Sequence, residues 1–315
     1  MAGNPLRGSS DARGLAMRVL TSPYLAVTVA MLCWAGSTVV VRGLRDEAPP
    51  LGLSFWRTLL GAMIVLPFAW RPMMQQIHLI RRHFWIMLLL AFLLFVGGNA
   101  VLFLSLQYTI AINVGVLNSF EPLIIIIAAW AIFRDRVTFN QVAGVLVSLL
   151  GVFALIGRGD PRAILALDFN LGDILVLGAY ISWALYAVYL RLAPRALDQR
   201  VMLFLLLFLG ALLLIPFYLI EWAVDRPMTF GLPSIAAIVG LALFSSVIAV
   251  FLWNYSIQHL GPSLAGIFIH MIVAFTVVMA IAFLGEVFAW FHGVGVALIG
   301  AGIYLSIYRG RADGG

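Results

Sequence analysis

The chain is one apolar unit written twice. Residues 106–159 recur as residues 257–310 at a constant offset of 151. The earlier part of each half recurs at an offset of 149, which places Trp34 on Trp183. Any fold for this chain must therefore build two related membrane units, and the number of helices in each unit decides how the two are arranged.

Composition places the chain in lipid. Hydrophobic residues make up 63% of it and charged residues 10%, and its mean hydropathy is +1.08. Soluble globular chains are about half apolar and about a quarter charged. The 19 basic residues are all arginines that stand singly or in pairs, so no phosphate-binding run exists and nucleic acid is not expected as a partner. The single Cys33 excludes an intrachain disulfide and a cysteine metal site.

Ten segments reach the roughly 20 apolar residues that one membrane-spanning helix needs. They predict an all-α membrane protein of ten transmembrane helices, arranged as two inverted five-helix repeats. We expect an N-terminal tail at 1–23, a first repeat at 24–157 and a second at 173–308. The predicted helices α1 to α10 cover residues 24–44, 52–70, 84–107, 110–133, 139–157, 173–192, 201–221, 233–257, 262–284 and 288–308.

The arginines indicate the orientation. With a cytoplasmic N-terminus, the cytoplasmic side receives thirteen: Arg7, Arg13, Arg18, Arg71, Arg81, Arg82, Arg134, Arg136, Arg191, Arg195, Arg200, Arg309 and Arg311. The other side receives five: Arg42, Arg45, Arg158, Arg162 and Arg226. This split follows the positive-inside rule with both termini cytoplasmic. Because five helices per repeat is an odd number, the second repeat enters the membrane from the opposite side.

Several residues of the two repeats are typical of one family. The second repeat contains Phe283-Leu284-Gly285-Glu286, followed by Gly295 and Gly302, and the first contains Glu121-Pro122 and Arg57. In these residues the chain resembles the EamA-type group of the drug/metabolite transporter superfamily, over about residues 24–308. The first repeat departs at Phe133-Arg134-Asp135-Arg136, where Asp replaces Glu and the Gly is lost. The resemblance implies transport of small metabolites, usually export, and leaves the substrate open.

Two charged residues, Arg57 and Glu121, lie more than one turn from either end of a predicted helix. An acidic residue at membrane depth costs about 2.5–3.5 kcal/mol on insertion scales, and Pro122 favours a broken helix beside Glu121. Glu121 is therefore a candidate proton or substrate-amine site, or else a structural carboxyl hydrogen-bonded between helices. Arg57 either snorkels to the membrane surface or faces a cavity, where it pairs with Glu121 or meets a substrate carboxylate.

Other polar and aromatic side chains lie near the middle of the predicted helices. The amides either bond between helices or line a pathway, the histidine either packs or passes a proton, and the tryptophans form an aromatic wall or pack between helices. With Arg57 and Glu121, the predicted substrate-binding residues are Trp34, Asn99, Asn118, Trp183, Asn254 and His270. We expect α1, α3, α4, α6, α8 and α9 to line the cavity.

The glycines of α5 and α10 have a different purpose. Gly144 and Gly151 stand seven residues apart, as do Gly295 and Gly302, so each pair shares one helical face. We expect these helices at the periphery, with the glycines at a repeat interface or in a homodimer. No glycine-rich stretch precedes Lys-Ser/Thr, since the chain has no Lys. A nucleotide site is therefore not expected. A metal site, a cofactor and catalytic residues are not expected either.

These features predict a secondary transporter, specifically an exporter, of small polar or amphipathic metabolites such as amino acids, working by alternating access. An uncoupled facilitator remains an alternative. An intramembrane lipid-modifying enzyme using Glu121 and His270 is a weaker one, and the loops are too short for a receptor domain. The expected partners are a small-molecule substrate and membrane lipid, and the expected location is the bacterial inner (plasma) membrane.

The predicted topology has a direct test. Reporter fusions placed after Arg42 and after Arg195 should report opposite sides of the membrane, because the arginine split puts these residues on different faces. If both fusions report the same side, the inverted arrangement is wrong.

Overall fold

The computed structural model describes residues 22–43, 48–105, 108–109, 111–160, 162–165, 170–224, 228–284 and 287–308. The predicted N-terminal tail up to residue 21, the Gly285-Glu286 pair, Arg309-Gly310 and the side chain of Arg42 lie outside the described residues.

Ten helices in the described part of the chain are long and apolar enough to cross a bilayer. They confirm the all-α membrane fold; the inverted orientation of the repeats stays a prediction. The helices are α1 (Pro23–Gly43), α2 (Pro50–Gln75), α3 (Phe84–Ser105), α4 (Ala111–Asn118 and Glu121–Phe133), α5 (Phe139–Ile156), α6 (Leu171–Tyr189), α7 (Gln199–Val224), α8 (Leu232–Leu260), α9 (Pro262–Ile267 and His270–Leu284) and α10 (Trp290–Ile307).

The predicted end of α2 at residue 70 is wrong. The helix contains Pro67 and Pro72 and continues to Gln75. Its 26 residues span about 39 Å, which exceeds the roughly 30 Å hydrocarbon core. The helix is therefore longer than the hydrocarbon core is thick, as in a tilted span.

Two helices are broken midway. In α4, Ser119 and Phe120 separate Ala111–Asn118 from Glu121–Phe133, and Pro122 is the second residue of the second part. Helix α9, predicted at residues 262–284, forms a spanning segment that also breaks, at Phe268 and Ile269. There the N–H groups of both residues bond to carbonyls only three positions earlier, so the helix tightens and its regular ladder stops. No proline accompanies this second break.

Two other helices widen instead of breaking. Residues Phe92–Ala100 of α3 and Leu241–Ile248 of α8 form π-helix, whose hydrogen bonds join residues five positions apart. The two segments begin 149 residues apart, which is the repeat offset of this part of the chain. The irregular backbone is therefore part of the duplicated unit.

The halves pack reciprocally. Helix α1 packs on α8 and α9, and its repeat counterpart α6 packs on α3 and α4. Counterparts also pack on each other, α2 on α7 and α5 on α10. Reciprocal contacts of this kind are what a two-fold axis between similar units produces.

Glycines form the contact between α5 and α10. A Cβ atom added to Gly144 would lie 2.4 Å from the carbonyl oxygen of Gly302, and one added to Gly151 would lie 2.7 Å from that of Gly295. The order of these contacts is reversed along the two helices, so α5 and α10 run antiparallel. The glycine faces meet within the chain, so these glycines form the interface between the repeats. A homodimer through α5 and α10 stays a prediction.

This contact predicts a contrast between two glycines of α10. Gly302→Ala should lower the thermal unfolding midpoint of the purified protein, because overpacking costs about 1–3 kcal/mol. Gly300→Ala should leave the midpoint unchanged or raise it slightly, since nothing lies within 4 Å of a Cβ at Gly300 and alanine favours helix. Equal shifts in the two variants would contradict the close contact.

Candidate transport cavity

A cavity of about 520 Å³ opens between the two halves. This volume is within the usual range of roughly 300–1,000 Å³ for small-molecule sites. The lining residues are Trp34, Ser37 and Thr38 of α1; Arg57 of α2; Leu94, Phe95, Asn99 and Leu102 of α3; Val114, Gly115, Asn118 and Glu121 of α4; Ile156 of α5; Tyr180, Trp183 and Tyr186 of α6; Ser245, Ser246, Val250 and Trp253 of α8; and Ile269, Ile272, Val273, Thr276 and Val277 of α9.

The structure brings most of the predicted site residues to this cavity. Six of the eight line it: Trp34, Arg57, Asn99, Asn118, Glu121 and Trp183. Asn254 and His270 do not belong to the lining. Two helices outside the predicted six also contribute, α2 through Arg57 and α5 through Ile156. Whether these side chains bind substrate stays a prediction.

The repeated tryptophans bond to the π-helical segments of the opposite half. The indole N–H of Trp34 donates to the carbonyl oxygen of Ser245 at 3.2 Å, and that of Trp183 donates to the carbonyl oxygen of Leu94 at 3.0 Å. A wide turn directs carbonyls away from the regular ladder, and in lipid each needs another donor. A Cβ on Gly98 would lie 1.9 Å from the Trp183 nitrogen, so only glycine there leaves room for this indole.

Aromatic rings form much of the wall. Tyr180, Trp183 and Tyr186 are spaced three residues apart on α6, and all three face the cavity. Tyr180 and Trp183 have ring centroids 5.6 Å apart. On the other side Trp34 meets Trp253 edge to face, also at 5.6 Å. Such a surface suits the apolar or aromatic part of a ligand.

Glu121 is the acidic residue of the lining. It is 6% exposed and opens the second part of α4 directly after the break. One carboxylate oxygen, Oε2, accepts a hydrogen bond from Asn118 Nδ2 at 3.3 Å. The positive end of the helix dipole at this N-terminus stabilises a carboxylate. The group can therefore hold a proton or meet a cationic ligand from within the cavity.

Arg57 faces the cavity from α2, which corrects two expectations. It does not snorkel away, since its Nη1 donates to Ser245 Oγ at 3.0 Å. It also does not pair with Glu121: among the described residues, ion pairs within 4.0 Å join only Arg191 to Asp135 and Arg200 to Asp198. The two cavity charges remain separate.

Asn254 and His270, the two predicted site residues that do not line the cavity, position other groups. Asn254 Oδ1 accepts a hydrogen bond from the Tyr186 hydroxyl at 2.6 Å, so it orients a lining side chain. His270 Nε2 lies 2.8 Å from the carbonyl oxygen of Ser119, and its Nδ1 lies 2.6 Å from Ser148 Oγ. A carbonyl can only accept, so Nε2 carries a proton. His270 therefore binds the broken turn of α4 to α9 and α5.

A buried carboxylate holds the N-terminal end of α4. Asp173, 4% exposed at the start of α6, accepts hydrogen bonds from the Thr109 hydroxyl at 2.5 Å and from Asn113 Nδ2 at 3.0 Å. It also accepts from the backbone N–H of Asn170, within a reciprocal capping box. The first part of α4 is thus joined to α6, and the break lies between two anchored segments.

An ion pair joins the far ends of the same two helices. Arg191 donates to both carboxylate oxygens of Asp135, at 2.9 and 2.6 Å, and its guanidinium lies 4.3 Å from the Phe133 ring. Hydrogen bonding to Arg191 lowers the pKa of Asp135 below its ordinary value. The turn keeps its left-handed geometry at Arg134, with φ 57°, although the glycine of the family motif is lost there.

Trp253, Ser245 and Ser246 are among the lining residues that sequence reasoning missed. Trp253 corresponds to Leu104 in the first repeat, so the recurrence that selected Trp34 and Trp183 does not select it. Ser245 and Ser246 are 3% and 4% exposed and form a small polar pair within an apolar helix. Their importance comes from contacts with α1 and α2 in the other half, which no local pattern indicates.

Comparisons with known proteins agree with this architecture. The EamA-like transporter family matches residues 21–157 and 170–308. The chain is 26% identical to an uncharacterized transporter of Archaeoglobus fulgidus, over 90% of this chain and 96% of that protein. It is also 26% identical to the uncharacterized transporter YetK of Bacillus subtilis, over 95% and 90%. A solved crystal structure superposes with a TM-score of 0.76 at 17% identity, covering 90% of this chain and 96% of that one, which establishes the fold.

The Asp135–Arg191 pair predicts a pH-dependent contribution to stability. Because the folded pKa of Asp135 is lowered, the contribution is present at neutral pH and is lost as pH falls below about 4. Asp135→Asn should cost about 1 kcal/mol near pH 7, and its unfolding midpoint should converge with that of the wild type in acid.

Asp198→Asn is the matched control. Asp198 pairs with Arg200 two residues away, and the Arg200 side chain is 54% exposed. Asparagine can still cap α7, so this variant should lose little stability. A constant difference between Asp135→Asn and wild type at every pH would contradict the electrostatic origin.

Proposed function

This chain belongs to the EamA-like transporter family, and from that premise we propose that it is a secondary exporter of small polar or amphipathic metabolites. Amino acids and related compounds are the first candidates. The observation that carries the proposal is the 520 Å³ cavity between the halves, which combines aromatic walls with Arg57 at one site and Glu121 at another.

Alternating access suits the way the cavity is built. Transporters with repeated halves exchange inward-open and outward-open shapes around a site near the middle of the membrane. The broken helices α4 and α9 both line the cavity, as do the π-helical segments of α3 and α8. Interrupted helices can bend at these places while the glycine contact of α5 and α10 holds the halves together.

The proposed orientation places both termini in the cytoplasm of a bacterial cell, with the chain in the inner membrane. The arginine split supports it, and the antiparallel contact of α5 with α10 agrees with inverted repeats. With no nucleotide-binding motif in the sequence, the driving force we propose is an ion gradient.

Transport can be tested in proteoliposomes. Purified protein should exchange labelled amino acids saturably and without ATP, and an imposed pH gradient should drive accumulation. Saturable exchange with no accumulation under any gradient would identify an uncoupled facilitator instead. Absence of exchange across a broad panel of small metabolites would contradict the transport proposal.

Glu121 provides the sharpest test of proton coupling. Glu121→Gln keeps the shape of the side chain and can still bond to Asn118, but it removes the titratable proton. Accumulation driven by a pH gradient should collapse while exchange without a gradient persists. Glu121→Asp, which keeps a carboxyl group, should retain part of the accumulation.

An unfolding midpoint close to that of the wild type must accompany these results. Undiminished pH-driven accumulation by Glu121→Gln would assign Glu121 a structural role.

A further inference from the structure

The cavity contains a cation, Arg57, that has no counter-ion among the described residues. Arg57 lines the cavity, and within the described residues no carboxylate lies within 4.0 Å of its guanidinium. A guanidinium has five N–H donors and stays charged. Ser245 Oγ takes one donor at 3.0 Å. A charge inside a membrane-spanning helix needs compensation, and Arg57 lines a space that a ligand can enter.

A hydrogen bond to the opposite half holds this guanidinium in place. Ser245 accepts Arg57 on its hydroxyl and Trp34 on its carbonyl, so one residue of α8 holds both side chains. One turn along α2, a Cβ on Gly61 would lie 3.3 Å from Ser246 Cβ, which shows how closely α2 approaches the π-helical segment of α8. The arginine is therefore held in place before any ligand binds.

This arrangement occurs in one half only. At the offset of 149, Arg57 corresponds to Leu206 and Ser245 corresponds to Val96, so both counterparts are apolar. The tryptophans, by contrast, occur in both halves as Trp34 and Trp183. An arginine needed only for packing would not require a hydroxyl acceptor and an open cavity beside it.

We propose that Arg57, positioned by Ser245, binds the carboxylate of the transported molecule, while the tryptophan wall of Trp34, Trp183 and Trp253 holds its apolar body. This inference rests on the proposed function and narrows its substrate class to monocarboxylates with an apolar, ring-sized group, zwitterions included. A planar guanidinium fork matches a carboxylate. A phosphate dianion would meet a single arginine in a cavity that also contains Glu121, which disfavours a second negative charge.

The first experiment measures binding, which does not depend on transport. Calorimetry on the purified protein would compare 3-phenylpropanoate with the uncharged 3-phenylpropanamide, which has nearly the same shape, and with the cation 2-phenylethylamine. The carboxylate should bind at least about tenfold more tightly than the amide, the difference expected for a charge-assisted pair. Equal binding of carboxylate and amide, or tighter binding of the amine, would overturn the inference.

Variants then locate the carboxylate. Arg57→Gln should weaken the binding of 3-phenylpropanoate about tenfold or more and leave the binding of 3-phenylpropanamide unchanged. Arg57→Lys keeps the charge without the planar fork and should weaken the binding of 3-phenylpropanoate less than Arg57→Gln does. Ser245→Ala keeps Arg57 but removes the hydroxyl that positions its guanidinium. This variant should also weaken the binding of the carboxylate and not that of the amide. Arg200→Gln, an exposed arginine outside the cavity, is the matched control and should bind as the wild type does.

The outcomes separate the two proposals. Selective loss of the carboxylate in the Arg57 and Ser245 variants supports the inference, whereas equal loss of carboxylate and amide overturns it. If Arg57→Gln fails to fold, Ser245→Ala and the wild-type ligand series decide. Carboxylate-selective binding without flux in proteoliposomes would contradict the transport proposal and support the carboxylate site at Arg57. Flux without a preference for carboxylates would support transport and contradict the carboxylate site.

Discussion

In lipid every backbone carbonyl needs a donor, and the cavity of this protein depends on how that requirement is met. A broken turn and two π-helical segments open the space between the halves, and each directs carbonyls out of the regular ladder. The donors come from elsewhere in the chain: Trp34 bonds to Ser245, Trp183 to Leu94, and His270 to Ser119. The bonds that satisfy the irregular backbone therefore also join the first repeat to the second, so the opening of the cavity and the cohesion of the halves have one origin.

The two repeats share their walls and differ in their chemistry. Tryptophans, π-helical segments and glycine contacts occur in both, because each maintains the shape of the duplicated unit. The polar groups occur once: Glu121 corresponds to Ile272, Asn118 to Ile269 and Arg57 to Leu206. If these polar groups also occurred in both repeats, an asymmetric ligand would have two equivalent orientations in the cavity. Placing each charge in one half gives the ligand a single preferred orientation.

The sequence predicted what depends on length and local chemistry. Ten apolar segments of spanning length became ten helices, and Pro122 indicated the break beside Glu121. The break in α9 has no proline, and a π-helical segment has no residue type of its own, so neither could be read from the chain. Helix α2 continues past Pro67 and Pro72 to Gln75, although proline usually ends or kinks a helix. The partner of Arg57 is 188 residues away, in a contact set by the packing of two halves, and the same packing turns Asn254 and His270 away from the cavity.

The glycine contact of α5 with α10 has a consequence for biosynthesis. The two helices meet through residues that stand roughly 150 positions apart in the sequence. A ribosome adds about 5–20 residues per second, so α5 waits on the order of 10–30 seconds in the bilayer before its partner is made. The contact that joins the two halves at these glycines can therefore form only after α10, the last of the ten helices, has been made.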